Sequence, residues 1–137
     1  MTRATLLALA ARCEAATGPD REIDRDIFSA VFPELVPSPI VTSGYGWRQD
    51  RGGWWLATGE DSRTPPKTIY PLRFSASIDV ALTLMPEGYF PVIDFVKNRC
   101  WIRDAQGFDM PNGCAYGFAA TPALALCAAA LKARISC

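Results

Sequence analysis

Residues 89–103, YFPVIDFVKNRCWIR, decide how this chain folds. Two runs rich in aromatic and β-branched residues, 89–96 and 99–103, flank Lys97-Asn98, a pair that suits a tight hairpin turn. Ala105-Gln106-Gly107 reads as a second turn. Residues 114–119, CAYGFA, read as a third strand, with Tyr116 and Phe118 on one face. Thr121-Pro122 then opens a helix: threonine is a good N-cap and proline is pre-set for the first helical position. Leu124, Leu126, Cys127 and Leu131 pack that helix, and Lys132 and Arg134 lie in its last turn, where the helix dipole favours positive charge.

Upstream of the hairpin, Ser75 or Ser77 caps a short helix with Asp79 in its first turn and Ile78, Ala81, Leu82 and Leu84 along it. It ends at Met85-Pro86-Glu87-Gly88. Residues 40–70 are broken by Gly44, Gly46, Gly52, Gly53 and Gly59. Within them only residues 40–42 and 54–57 read as short strands, and 61–67, with Pro65-Pro66, reads as loop. The chain starts with a helix over about residues 2–16, carrying Leu6, Leu7, Leu9, Ala10 and Cys13 as a broad apolar face, stopped by Thr17-Gly18-Pro19. Asp20 caps a second helix whose Ile23, Ile27, Phe28 and Val31 form one stripe at helical spacing. The order of elements predicts an α/β fold, an α-β-α sandwich built on a mainly antiparallel sheet of four to five strands with helices on both faces. No linker divides the chain, so its 137 residues read as one domain.

Composition narrows the chemistry. Fourteen basic and fourteen acidic residues cancel, which gives no support to tracking a long nucleic acid backbone. The chain has no histidine, which removes Ser-His-Asp and Cys-His catalysis and every His-ligated metal site. The five cysteines, Cys13, Cys100, Cys114, Cys127 and Cys137, include no C-x-x-C pair. Cys13 and Cys127 fall in Ala/Leu-rich helical patterns and read as small buried hydrophobes. The apolar run of residues 4–11 is followed at once by Arg12 and Glu14, so it reads as the first helix rather than a secretory signal. No run approaches the roughly 20 apolar residues of a membrane span. The expectation is a cytoplasmic protein.

Three segments carry a resemblance: residues 9–24 (LAARCEAATGPDREID), 74–88 (FSASIDVALTLMPEG) and 119–134 (AATPALALCAAALKAR), 47 residues in all. Of these, GPDREID and SxDxAL are the more distinctive elements. In this order they resemble the small phage and prophage proteins of the phage ABA-sandwich domain family. The resemblance implies a helix–sheet–helix architecture and a phage or prophage source, hence the cytoplasm of an infected or lysogenic bacterial host. It implies no catalytic mechanism and brings no site motif.

The carboxylates have plain structural readings. Asp20, Glu22, Asp24 and Asp26 are interleaved with Arg21 and Arg25, and their spacing is not that of an EF-hand, so they read as a capped, solvated helix start and not as a metal site. Ser77 and Asp79 read as capping residues, since no histidine relays a proton between them. Glu60, Asp61, Glu87 and Asp94 include no pair that spacing selects for glycosidase chemistry. The chain carries no GxxxxGK[ST] motif, and Gly44-Tyr45-Gly46 is a lone GxG that leads into no helix. No catalytic residue, metal or cofactor is expected.

Residues 43–67 are the exception. They place Tyr45, Trp47, Trp54 and Trp55 beside Arg48, Arg51, Arg63 and Lys67. Residues 41–75 carry five basic against three acidic groups, whereas residues 1–40 carry four basic against six acidic. Aromatic planes stack on bases, and arginine grips phosphate oxygens with paired donors. These eight residues are the candidate ligand-binding set for a small nucleotide. Phages carry small proteins that sequester the nucleotide signals of bacterial immune systems, and sequestration needs affinity without chemistry. The expected function is a non-enzymatic anti-defence sponge, a homo-oligomer that encloses its ligand. Three tryptophans within nine residues equally suit a protein interface, the reading for a structural or interaction accessory protein. A third reading is an ordinary strand whose Trp54 and Trp55 alternate between core and loop.

Overall fold

The computed structural model describes residues 2–36, 45–50, 53–58, 68–69, 72–110 and 115–135; within 45–69 it describes the course of the backbone. Helix α1, Arg3–Ala15, is capped by Thr2, whose hydroxyl accepts from Thr5 N at 3.1 Å. Helix α2, Arg21–Val31, is capped by Asp20, whose carboxylate accepts from Glu22 N and Ile23 N at 2.8 and 3.2 Å. A 3-10 turn, Pro33–Leu35, follows. Three strands come next: β1 (Tyr45–Asp50), β2 (Gly53–Thr58) and β3 (Thr68–Ile69). Helix α3, Ile78–Ala81, is capped by Ser77 and runs into a 3-10 turn, Leu82–Leu84. Strands β4 (Phe90–Asp94), β5 (Arg99–Arg103) and β6 (Tyr116–Phe118) precede helix α4, Pro122–Ala133, which has Thr121 as N-cap and Pro122 at its start.

The fold is α/β, but its strands are divided differently from the expectation. Among the described residues they form two three-stranded antiparallel sheets, β1-β2-β3 and β4-β5-β6, and a single sheet of four to five strands is not seen there. Residues 45–50, read from their glycines as irregular, are strand β1, paired with β2 from Tyr45↔Thr58 to Asp50↔Gly53. The expected strand at 40–42 lies outside the described residues. The β4–β5 hairpin is also wider than a two-residue turn. Its strands end at Asp94↔Arg99, and residues 95–98 connect them, with Asn98 in the left-handed region at φ 49°. Asp94 sets this width, because its carboxylate accepts from the N–H groups of both Val96 and Lys97.

Helix α4 is the centre of the fold. Every residue from Ala123 to Leu131 is buried. It packs on α1 on one side and on the sheet β4-β5-β6 on the other. The sheet meets it through Cys100, Ile102 and Gly117. At Gly117 the strand and helix backbones touch: a Cβ there would overlap the carbonyl oxygen of Ala125 and come within 3.0 Å of Ala129 N. Alternation along β5 is strict, with Cys100 and Ile102 inward and Arg99, Trp101 and Arg103 outward. The outward face keeps Phe118 at 52% and Phe90 at 42% exposure, so no second helical layer covers these rings among the described residues. Leu7, assigned to the core face of the first helix, is 43% exposed; Leu6, Leu9, Ala10 and Cys13 alone fill that stripe.

The edge strand β6 is sealed by side chains. Lys132 Nζ donates to Tyr116 O at 2.7 Å, Phe118 N donates to Glu14 Oε2 at 3.3 Å, and Lys132 and Glu14 pair at 2.9 Å. These bonds occupy backbone positions that a further strand would use. Another clasp is buried. Ser75 N donates to Asp24 Oδ1 at 2.8 Å, Asp20 N donates to the Ser75 hydroxyl at 2.9 Å, and that hydroxyl donates to Asp20 O at 3.2 Å. Asp24, read from sequence as part of a solvated helix start, is therefore a core residue at 3% exposure.

Burial pushes the Asp24 carboxyl above its ordinary 3.8, and the Ser75 N–H offsets this only in part. A raised folded value means that the carboxylate costs stability, so stability falls as pH rises from the unfolded value through the folded one. Asp24→Asn keeps an acceptor for Ser75 N and removes the charge. Its melting temperature is expected to lose that part of the acid-to-neutral slope, whereas Asp24→Ala leaves Ser75 N unpaired and costs about 1–3 kcal/mol. A pH series of melts for the two variants separates these effects; an Asn variant with the wild-type slope would place the titration elsewhere. Gly117→Ala is expected to cost about 1–3 kcal/mol or more by forcing α4 off the sheet. An unchanged melt would show that the helix is not seated on that glycine.

Candidate ligand-binding surface

Of the eight residues singled out by sequence, Tyr45, Trp47 and Arg48 lie on β1 and Trp54 and Trp55 on β2; Arg51, Arg63 and Lys67 lie outside the described residues. The register sorts the five. Arg48 is opposite Trp55, which pairs in turn with Thr68, while Trp54 stands between Gln49 and Ile69 and Trp47 is opposite Leu56. With a period of two along each strand, Arg48, Trp55 and Thr68 share one face of the ribbon, and Tyr45, Trp47 and Trp54 share the other. The five described residues are thus split: one face has an arginine position opposite a tryptophan position, and the other is aromatic without a basic residue among its register positions.

A second aromatic surface was not singled out from sequence. The outward face of β4-β5-β6 carries Phe90, Val92 and Asp94, then Arg103, Trp101 and Arg99, then Tyr116 and Phe118, in cross-strand rows fixed by the register. Trp101 and Tyr116 stack with ring planes 8° apart and centroids 5.9 Å apart, and Tyr116 meets Phe118 at 4.8 Å. The Arg99 guanidinium lies 5.7 Å from the Trp101 ring centroid. Trp101 and Tyr116 are half-buried while Phe118 stays exposed at the edge of the row. The sequence signal was there in the alternation of RCWIR and in Tyr116-x-Phe118. It is ambiguous in a single strand, because the same residues suit a strand whose second face packs on a helix.

Both arginines of the platform are paired. Arg99 Nε donates to Asp94 Oδ2 at 2.9 Å, and Arg103 Nε to Asp109 Oδ1 at 2.9 Å. The Lys97 N–H above all, then the Arg99 guanidinium and Val96 N–H, hold the Asp94 carboxyl below its ordinary value. The same Asp94 bond chiefly raises Arg99. The face is therefore aromatic, rimmed by ion pairs, and locally neutral.

Elsewhere the polar groups are committed to structure. A groove of about 500 Å³ between α1 and α2 is lined by Leu9, Arg12, Asp26 and Ser29, but Arg12 and Asp26 close on each other at 2.6 Å. A hollow of about 430 Å³ between the starts of α3 and α4 holds Ser77 and Thr121, both already accepting from their own helices. Cys13, Cys100 and Cys127 are buried free thiols. Burial pushes Cys100 up to about 12, and a hydrogen bond with Cys13, then burial, pushes Cys127 higher still, so neither is a nucleophile at neutral pH. Among the described residues no group of three ligating side chains converges as a metal site, and no helix is long and apolar enough to cross a membrane. No protein-family model matches the chain, and neither a curated protein nor a solved structure matches it.

Proposed function

We propose that this chain binds a small nucleotide-type ligand and sequesters it unchanged, as an accessory protein of a phage or prophage acting in the cytoplasm of its host. The observation that carries the ligand reading is the aromatic row of Trp101, Tyr116 and Phe118, in which the first two rings stack in parallel and Phe118, tilted against Tyr116, stays exposed. Base–aromatic stacking contributes about 1–3 kcal/mol per base and needs no particular sequence of hydrogen bonds. The register puts Arg48 opposite Trp55 on β1 and β2, which supports phosphate and ring recognition by that ribbon; Arg51, Arg63 and Lys67 belong to the same reading from the sequence. The phage source rests on the three segments quoted above. A homo-oligomer that encloses the ligand belongs to the same proposal.

The opposite face of the β1–β2 ribbon favours a second reading. Tyr45, Trp47 and Trp54 fall together there with Leu56 and Ile69 and with no basic register position, which suits the aromatic core of a protein interface. The chain is then an interaction or structural accessory protein.

Calorimetric titration with cyclic ADP-ribose isomers, ADP-ribose conjugates and cyclic di- and trinucleotides tests the first reading, with mass spectrometry of the ligand after heat release. Sub-micromolar binding with the ligand recovered intact is the expected outcome. A converted product would make the protein an enzyme, and silence across the panel would favour the interface. Phe118→Ala is expected to weaken binding roughly tenfold or more through lost stacking. Its effect on the melting temperature should be small, because half of that side chain is already in water. A large drop in stability with unchanged affinity would return Phe118 to a packing role. Under the interface reading, Trp54→Ala removes capture of a partner without altering ligand affinity.

A further inference from the structure

The platform contains two arginines, yet each is matched by a carboxylate of the same surface. The two pairs are built differently. Arg103 and Asp109 are exposed and join across an isolated bridge, an arrangement that contributes little and exchanges readily with solvent. Asp94 is held at three points. Its Oδ1 accepts from Val96 N at 3.0 Å and Lys97 N at 3.2 Å, which fixes the carboxylate in the hairpin loop, and its Oδ2 accepts from Arg99 Nε. Arg99 in turn lies against the Trp101 ring. A phosphate approaching Arg99 therefore meets a guanidinium whose partner is already pre-organised, and meets the negative charge of that partner too. A flat ring approaching the exposed Phe118, at the other end of the aromatic row, meets neither obstacle.

We propose that Asp94 is the charge-selecting residue of this face: by holding Arg99 as a neutral pair it makes the platform a receptor for the ring of a nucleoside-type ligand and not for its phosphates. This rests on the nucleotide reading of the same platform. It also assigns the two arginine populations different work, since the platform arginines orient carboxylates and rings while phosphate recognition falls to residues elsewhere.

Asp94→Asn isolates the effect. The amide oxygen still accepts from Val96 N and Lys97 N, so the loop keeps its bonds, but the amide nitrogen accepts nothing from Arg99. Adenosine and ATP are titrated calorimetrically against the wild type, Asp94→Asn and the double variant Asp94→Asn/Arg99→Gln. Asp94→Asn is expected to raise the preference for ATP over adenosine by about tenfold or more, the value of one charge-assisted bond. Adenosine affinity should stay nearly constant, and the double variant should return the wild-type preference. Asp94→Ser, which also keeps an acceptor for the loop, serves as a second variant if the asparagine protein fails to fold. An unchanged preference in a folded variant that still binds adenosine overturns the role of Asp94 alone. A wild type that binds neither compound overturns the nucleotide reading of the platform together with it.

Discussion

Helix α4 is apolar on every side, and a helix with no polar face is stable only when something covers all of it. That requirement organises the molecule. Sheet β4-β5-β6 covers one side and α1 the other, with α3 and its 3-10 turn against the remainder. The alanines that make up half of the helix let neighbours come close, and Gly117 brings strand backbone onto helix backbone. Small residues contribute less area each than leucine or phenylalanine, so the arrangement depends on proximity: dispersion contacts in a close-packed seam replace bulky side chains. A methyl group in that seam has nowhere to go.

Charged residues act as fasteners around this apolar centre. Lys132, at the end of α4, reaches back to β6 and to Glu14 of α1, joining three elements with one ammonium. Arg134 donates to Leu84 O at 2.7 Å and ties the same helix end to the turn after α3. Ser75 and Asp24 perform the equivalent service at the start of α2, inside the core. A buried carboxylate against a backbone N–H specifies one packing of these segments, and its cost appears as the upward shift of Asp24. These long-range bonds fix one arrangement of the elements around the apolar centre.

Among the described residues no helix covers the other face of the sheet, where Phe90 and Phe118 stay exposed. Its rings are then partly in water, which costs hydrophobic stabilisation unless something occupies them. The ion pairs at each end of β5 limit that cost by placing matched charge beside the rings. The same matching leaves the face aromatic and electrically quiet. The β1–β2 ribbon differs: the register puts Arg48 opposite Trp55 on one face and leaves Tyr45, Trp47 and Trp54 on the other, without a basic position.

Local chemistry was legible in the sequence wherever it was self-contained. Asp20, Ser77 and Thr121 cap the helices they were assigned to, Pro122 begins α4, and the cores of β5 and β6 fall where alternation placed them, because capping and period-two patterning need only neighbouring residues. Cys13, Cys100 and Cys127 are buried, the first and last as their apolar helical surroundings indicate. Pairing between distant segments was not legible. Nothing within GPDREID distinguishes a solvated Asp24 from one that meets Ser75 51 residues later, and nothing within YGWRQD reveals its partner GWWLAT. The aromatic set of residues 43–67 was visible as composition, but its division between two faces follows only from the register. Trp101, Tyr116 and Phe118 were visible as strand residues, yet only the packing of α4 on the opposite side of the sheet decided that these rings face outward. Sequence by itself determined the helices and the strands of the second sheet; the tertiary structure decided that residues 45–50 and 68–69 join β2 as strands, and which faces stay exposed, because pairing and burial depend on what comes from elsewhere in the chain.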